Sequence, residues 1–289
     1  MEIKAQGSTH DAQRGPRQRK SQGRDVDISK ALSRLLRHQA ENAGINLDKE
    51  GFAPLDKVLQ WGPLKALGVS VEEVEAIVET NAKKRFALKP IAQGDPASPA
   101  SYLIRANQGH SLQVDPASLF RSIALGDADF PARVLHGTYF AFWDDIVRSG
   151  GLKPMTRGHI HCSEKTLEEG AVSGMRGDAE ILVEIDIQAS LEEGAAWWRS
   201  ENGVILTDGG SEGLLSTRFF KKVTGRKAGV GVLWEDGEKR ADLPVGLKMV
   251  VPAGKRGARG RVRGRGRGRG GGRGGGEERG GRGGTGGVV

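Results

Sequence analysis

The sequence predicts an α/β (α+β) protein of two lobes set between basic, disordered ends. Three observations carry that expectation. Residues 26–80 hold apolar stripes at helical spacing, residues 85–106 and much of 131–253 hold short β-rich runs, and a stretch rich in proline, glycine and small residues separates the two. The expected organisation is a basic arm (1–25), an N-terminal lobe (26–114), a linker (115–130), a mixed α/β lobe (131–253) and a Gly/Arg-rich tail (254–289).

Ile28, Leu32, Leu35 and Leu36 define the first helix, with Asp27 or Ser29 placed to cap its start. It ends on RLLRHQAE, where Arg37 and His38 project about 100° apart. Two cations there either complement the negative end of the helix dipole or are offered to a ligand. Phe52 and Ala53 read as extended, and Leu55 to Gln60 as a second helix. VSVEEVEAIVETNA predicts a third, with Ser70 as N-cap, Glu73 as its capping-box partner, and Val71, Val74, Ile77 and Val78 inward. KRFALKP and SYLIRANQG predict two strands around the turn IAQGDPASPA. Three short helices followed by a β-hairpin form a winged-helix pattern. In the second lobe, ARVLHGTYFAFWDDIVRSGGL predicts a strand, a turn and a helix ending at Gly150. ILVEIDI and NGVILT predict further strands, and GVLWEDG with LKMVVPAG a last hairpin.

Charge is unevenly spread. The chain of 289 residues carries +8, but the tail from Gly254 holds ten arginines and one lysine against two glutamates. Asp25 to Ala253 therefore carries a net −5, so nucleic acid held by the folded part needs a local basic patch. The tail has 18 glycines and almost nothing apolar to offset chain entropy. A single cysteine, Cys162, excludes a disulfide framework and a cysteine-based zinc site. No run approaches the length of a membrane span, so a soluble, cytoplasmic and/or nuclear protein without a membrane partner is expected.

Five of the six histidines sit in short polar blocks: LLRH, NQGHS, LHGT and RGHIHCS. HIH also has the look of half a metal site, but no carboxylate or cysteine set completes it, and no metal is expected. KKRF places Arg85 at the start of a strand, and TRGH places Arg157 just before the histidine pair. Arginine presents a planar fork of donors that stays charged, suited to gripping phosphate. Arg37, His38, Arg85 and Arg157, if they converge, make a phosphate pocket with one titratable member.

ISKALSRLLRH, GFAPLDKVL, IVETNAKKRF, IRANQGHS, LHGTYFAFWDDIVRSGGLKPMTRGHIH and NGVILT, in this order between Ile28 and Val223, resemble motifs of the tRNA 2′-phosphotransferase family. The resemblance implies a winged-helix RNA lobe joined to a lobe with the ADP-ribosyltransferase fold. It implies transfer of the internal 2′-phosphate of a spliced tRNA to the co-substrate NAD⁺. The phosphate attacks the anomeric carbon of the nicotinamide ribose, giving a 2′-phospho-ADP-ribosylated RNA, and the ribose 2″-hydroxyl then releases repaired RNA and ADP-ribose 1″,2″-cyclic phosphate. Carried onto matching positions, Arg37, His38, Arg85 and Arg157 form the catalytic tetrad, with His38 as the proton-transfer candidate. His136, Gly137 and Thr138 match the nicotinamide-side motif, and His159, His161 and Ser163 are expected to line the same cleft. Asn107, Gln108, His110 and Ser111 are assigned to RNA phosphate, with a polar loop that ties the lobes together as the alternative. The expected partner is 2′-phosphorylated RNA, met by a monomer.

Three positions depart from the family pattern: Ala82 replaces a usual acidic residue, Ser216 a common proline, and Cys162 an aliphatic or aromatic residue. The tail lies outside the resemblance, and its RGRGRGRG run is similar to segments that hold RNA through charge and arginine stacking. Two alternatives stay open at this point. One is an ADP-ribosyltransferase acting on RNA or protein ends; the other is a non-enzymatic RNA-binding adaptor.

Overall fold

The computed structural model describes residues 16–92, 94–112 and 114–252, with side chains from Gly23 onward. The Gly/Arg tail and the first fifteen residues, both expected to be disordered, lie outside the described residues. Helix α1 (Pro16–Arg34) begins well before its apolar stripe. Residues 16–25, expected in a disordered arm, are therefore helical, and Asp27 and Ser29 lie inside the helix instead of capping it. Pro16 suits the first position, where its missing N–H has no intrahelical partner to lose. The stripe itself is as expected, with Ile28, Leu32, Leu35 and Leu36 buried.

The rest of this half is β1 (Ala53–Pro54), α2 (Leu55–Gln60), α3 (Gly62–Leu67), α4 (Val71–Thr80), β2 (Phe86–Pro90) and β3 (Tyr102–Ala106). Helix α3 was not foreseen, because six residues with only Leu64 buried give no periodicity to detect. Ser70 and Glu73 form the predicted capping box, and Arg24 grips the same glutamate at 2.6 and 2.9 Å, tying α1 to α4. The strands form an antiparallel sheet in the order β1-β3-β2, and the helices bury their apolar faces in one cluster with it.

The second half runs through α5 (Pro116–Leu119), β4 (Arg121–Ser122), β5 (Val134–Thr138), α6 (Phe140–Arg148), β6 (Gly151–Leu152), β7 (Ile160–Cys162) and β8 (Ile181–Ile185). It continues through α7 (Ile187–Glu192), β9 (Trp197–Arg199), β10 (Ile205–Thr207), β11 (Leu215–Ser216), β12 (Phe220–Gly225), β13 (Val232–Glu235) and β14 (Glu238–Lys239). A five-stranded sheet, β14-β13-β12-β8-β5, and a four-stranded sheet, β4-β9-β10-β7, are both antiparallel and share one apolar core. Cys162 is fully buried in that core, and burial pushes its thiol pKa up, so it acts as a small filler.

Two expectations are corrected here. The stretch 115–130 is not a free linker: Leu119 and Phe120 are buried against Val204 and Leu206, and β4 pairs with β9. The last hairpin is built from β12, β13 and β14, while LKMVV forms no strand. Leu243 and Leu247 still pack on the core, but Pro244 and Gly246, at φ +83°, break the ladder. The described residues up to Val250 form one compact unit.

Candidate active site

The RLLRH turn is where the first helix changes character. Leu35–Gln39 form a single π-helical turn, a widening that breaks the regular ladder and recurs at functional sites. The carbonyl of Arg37 is taken by the segment after β3, accepting from the backbone N–H of Ser111 at 3.0 Å and of Leu112 at 3.3 Å. Ser111 also holds His38, its Oγ lying 2.8 Å from Nδ1. Gly109 makes this approach feasible at φ +87°, a conformation that disfavours any side chain.

The Arg37 side chain then enters the protein without an anion to meet. Its Nε and Nη2 are buried and have no hydrogen-bond partner among the described residues. Burial, then the charges of Arg157 and Arg85, pull its pKa down to about 10. A buried donor left unmade is costly, so this guanidinium is arranged for an acceptor that the described residues do not supply.

Arg85 is positioned by the turn before β2. Asn81 Oδ1 accepts from Arg85 Nη1 and from the backbone N–H of Lys83, each at 3.0 Å. Lys84 adopts φ +40°, and Asn107 secures that strained turn by donating from Nδ2 to the Lys84 carbonyl at 2.9 Å. Asn81 thus fills the polar role that Ala82 lacks. Arg157 comes from the loop before β7, whose Gly158 N–H bonds the His110 carbonyl at 3.0 Å. Its pKa is lowered by burial and then by Arg176.

Arg37, Arg85 and Arg157 line one cavity of about 280 Å³ together with Gln108 and His161. His161 is buried on the outer face of β7; its Nε2 lies 2.9 Å from Gln108 Oε1, and its pKa is held well below the usual value by burial. Asp178 is the one acidic residue in the lining, and Tyr139 already donates to it at 2.7 Å. The cavity is therefore cationic, with its carboxylate engaged elsewhere.

The other predicted residues divide. His38 does not line this cavity; it lines an adjoining groove of about 630 Å³ that shares Arg85. Its pKa is lowered by burial, then by Arg37 and Arg157. His110 is buried, both ring nitrogens have no partner among the described residues, and its pKa is pulled down to about 3, chiefly by burial. Asn107, His110 and Ser111 thus shape the site from behind. His136 Nδ1 lies 3.0 Å from the His161 carbonyl, and Thr138 is buried. Neither they nor Gly137 reach the cavity wall: a Cβ on Gly137 would lie 2.7 Å from Met175 and 2.9 Å from Ala179, so the 173–179 segment covers this motif. His159 stands away from the cavity, edge-on to Phe120 and Trp198 at 5.3 Å each. Ser163 is spent on its own turn, bonding Lys165 and bridging to Leu135.

Comparison with known proteins shows the family. Residues 23–209 match the model of the RNA 2′-phosphotransferase, Tpt1 / KptA family. The chain belongs to that family. It is 43% identical over 210 residues to human tRNA 2′-phosphotransferase 1, covering 72% of this chain and 79% of the relative. A Danio rerio protein of the same name is 39% identical, covering 72% and 89%. The Saccharomyces cerevisiae tRNA 2′-phosphotransferase is 33% identical over 187 residues, covering 64% and 79%.

In this Tpt1/KptA-family chain the sequence reading missed Lys83, Ser173, Arg176 and Asp178, all of which line the cavity. The signal was present in SGMRGD, where two glycines bracket an arginine before β8, but nothing in its spacing points to a phosphate site. Among the described residues, no group of three or more His, Cys, Asp or Glu side chains is placed to hold a metal ion. No described helix is long and apolar enough to cross a membrane.

Proposed function

We propose that the chain removes the 2′-phosphate at a tRNA splice junction by transferring it to NAD⁺. The observation that carries this reading is Arg37, whose buried Nε and Nη2 have no acceptor among the described residues, beside Arg85 and Arg157 on one cationic cavity. Bound phosphate satisfies the orphaned donors and cancels the repulsion among the three cations. The relatives' shared name, tRNA 2′-phosphotransferase, supports the same substrate.

Each residue's part follows from its surroundings. Arg37 and Arg85 hold the RNA phosphate, because their backbones are locked by Ser111, Leu112 and Asn107. Arg157 closes the third side and meets charge that builds on the phosphate oxygens in the transition state. His38, fixed through Nδ1 by Ser111 and kept neutral near pH 7, has Nε2 to accept the proton of the attacking hydroxyl.

The fit to NAD⁺ rests on the edge strand β5. Leu135 turns its N–H and C=O outward to Ser163, and strand alternation directs those of Gly137 the same way, matching a carboxamide's acceptor and donor. His136, Gly137 and Thr138 would hold the nicotinamide side, with His161 toward the cavity and Arg176 toward negative charge. When bound, NAD⁺ supplies an anomeric carbon with nicotinamide as leaving group and a neighbouring hydroxyl that closes the cyclic phosphate. No comparable contact assigns His159 or Ser163 to the nucleotide.

On this reading the helices and three-stranded sheet of the first half are the winged-helix RNA lobe, and the antiparallel sheets of the second are the ADP-ribosyltransferase-like lobe. The Gly/Arg tail supplies attraction to RNA phosphate that the net −5 of residues 25–253 does not. The test is incubation with an oligoribonucleotide bearing one internal 2′-phosphate, with and without NAD⁺. NAD⁺-dependent appearance of 2′-hydroxyl RNA, nicotinamide and a cyclic phosphate supports the proposal. A stable ADP-ribosylated RNA favours simple ADP-ribosyl transfer, and bound but unaltered RNA favours an adaptor.

A further inference from the structure

Apart from His38 and Arg85 at its end, the groove that adjoins the cavity has no part in the chemistry described above. It runs between α1 and α4 and holds about 630 Å³, more than twice the cavity's volume. One wall is the flank of α1 beside its buried stripe. Ser29 and Ser33, and Lys30 and Arg34, are pairs spaced by four residues, so a hydroxyl row and a cationic row run side by side along the helix. The other wall is α4, which contributes buried Ile77 and, one turn on, Thr80, with Asn81 just past its end. His38 and Arg85 close the end that meets the cavity.

The charges of this groove fit a polyanion. Against Lys30, Arg34 and Arg85 the lining sets a single acid, Asp25. Lys30 has only a loose, exposed contact with Asp27 at 3.8 Å, and Arg34 has no ion-pair partner among the described residues. The hydroxyl of Thr80 donates to the Ala76 carbonyl at 2.6 Å, which leaves its oxygen as an acceptor toward the groove.

We propose that this groove seats the ribonucleotides flanking the phosphorylated one. Lys30 and Arg34 take the backbone phosphates, the serines and Thr80 meet sugar hydroxyls, and a base lies against Ile77. The strand then passes His38 and Arg85 at the mouth of the cavity, where its 2′-phosphate turns inward. Lys30 and Arg34 are positioning residues: they set where the RNA lies without touching the reacting atoms. The inference rests on the phosphotransferase reading for the identity of the strand.

The test compares two substrates, an oligoribonucleotide with one internal 2′-phosphate and a nucleoside 2′-phosphate that has no flanking nucleotides. The full chain is used throughout, so the tail is constant. Lys30→Glu with Arg34→Glu is expected to raise KM for the oligonucleotide about tenfold or more, with kcat within about twofold and kinetics on the nucleoside 2′-phosphate unchanged. An unchanged KM on the oligonucleotide, or an equal rise on both substrates, overturns the proposal. If the wild-type chain turns over neither substrate, the phosphotransferase reading fails and the groove is judged by equilibrium binding of a fluorescent oligoribonucleotide. Replacing both cations with alanine should then flatten the slope of log K against log salt by about 1.4, two phosphate contacts at about 0.7 each on a single strand. An unaltered slope excludes the groove as an RNA seat.

Discussion

At the scale of single residues, the Arg37 guanidinium has two buried nitrogens with no partner among the described residues. Inorganic phosphate should raise Tm in the wild type and leave Arg37→Ala unmoved, because a ligand stabilises only the state that binds it. Thermal scans across phosphate concentration measure this; equal shifts in both proteins would remove Arg37 from the anion site. His38 gives a second prediction, because its folded pKa is lowered by burial and then by two arginines. Its ring should titrate below pH 6.5 in an NMR experiment, and bound phosphate should move the midpoint upward by neutralising those arginines. His110 bears on stability. Its folded pKa, about 3, lies below the unfolded value of 6.5, so the unfolded chain binds a proton that the native one refuses. This contribution is fully present above pH 6.5 and is lost as pH falls from there toward 3, at about 1.4 kcal/mol per pH unit for one proton. His110→Phe should flatten that dependence in denaturant titrations; an identical slope would show that another group sets it. Arg37, Arg85, Arg157 and His161, which the family resemblance singles out in the sequence, line one cavity. Their partners were not legible there: the roles of Asn81 and Ser111 depend on which turn each loop takes, and that is settled by contacts far apart along the chain.

At the scale of elements, local signals with a physical mechanism were readable and the rest were not. The Ser70 capping box fixes the start of α4, and Leu55–Gln60 is bounded by turn residues, so both emerge from short-range pattern. The π-helical turn at Leu35–Gln39 left no such mark. It exists because the Arg37 carbonyl bonds a segment more than seventy residues away, a tertiary effect that overrides helix propensity. Two substitutions separate these cases. Ser70→Ala should cost about 1 kcal/mol of stability in denaturant unfolding and leave turnover alone. Gly109→Ala should cost about 1–2 kcal/mol from its φ of +87° and should also reduce kcat/KM, because Ser111 and Leu112 could no longer reach Arg37 as they do. Turnover unaffected by Gly109→Ala would mean that this segment does not shape the site.

At the scale of the whole molecule, the site is made by the two halves together. Arg37 and Arg85 come from the first, Arg157 and His161 from the second, and the halves are tied beside the cavity. Asn202 Nδ2 and Ser173 Oγ both donate to the Lys83 carbonyl, at 2.8 and 3.2 Å, while Arg105 pairs with Glu201 at 2.9 Å. The sequence pattern of two lobes around a linker hides this union. Small residues between Asp115 and Pro131 suggest a hinge, yet Leu119 and Phe120 are buried there. The central claim is that the phosphate joining these halves is the one transferred. It is tested most directly by a single-turnover time course with wild type, Arg37→Lys and Arg37→Ala on an oligoribonucleotide labelled at one internal 2′-phosphate, in the presence of NAD⁺. The account predicts rapid transfer of label from RNA by the wild type and a loss of about 10²–10³ in rate for Arg37→Ala. It predicts only partial recovery with lysine, which keeps the charge but loses the fork. Label that leaves the RNA at the wild-type rate in Arg37→Ala would contradict it.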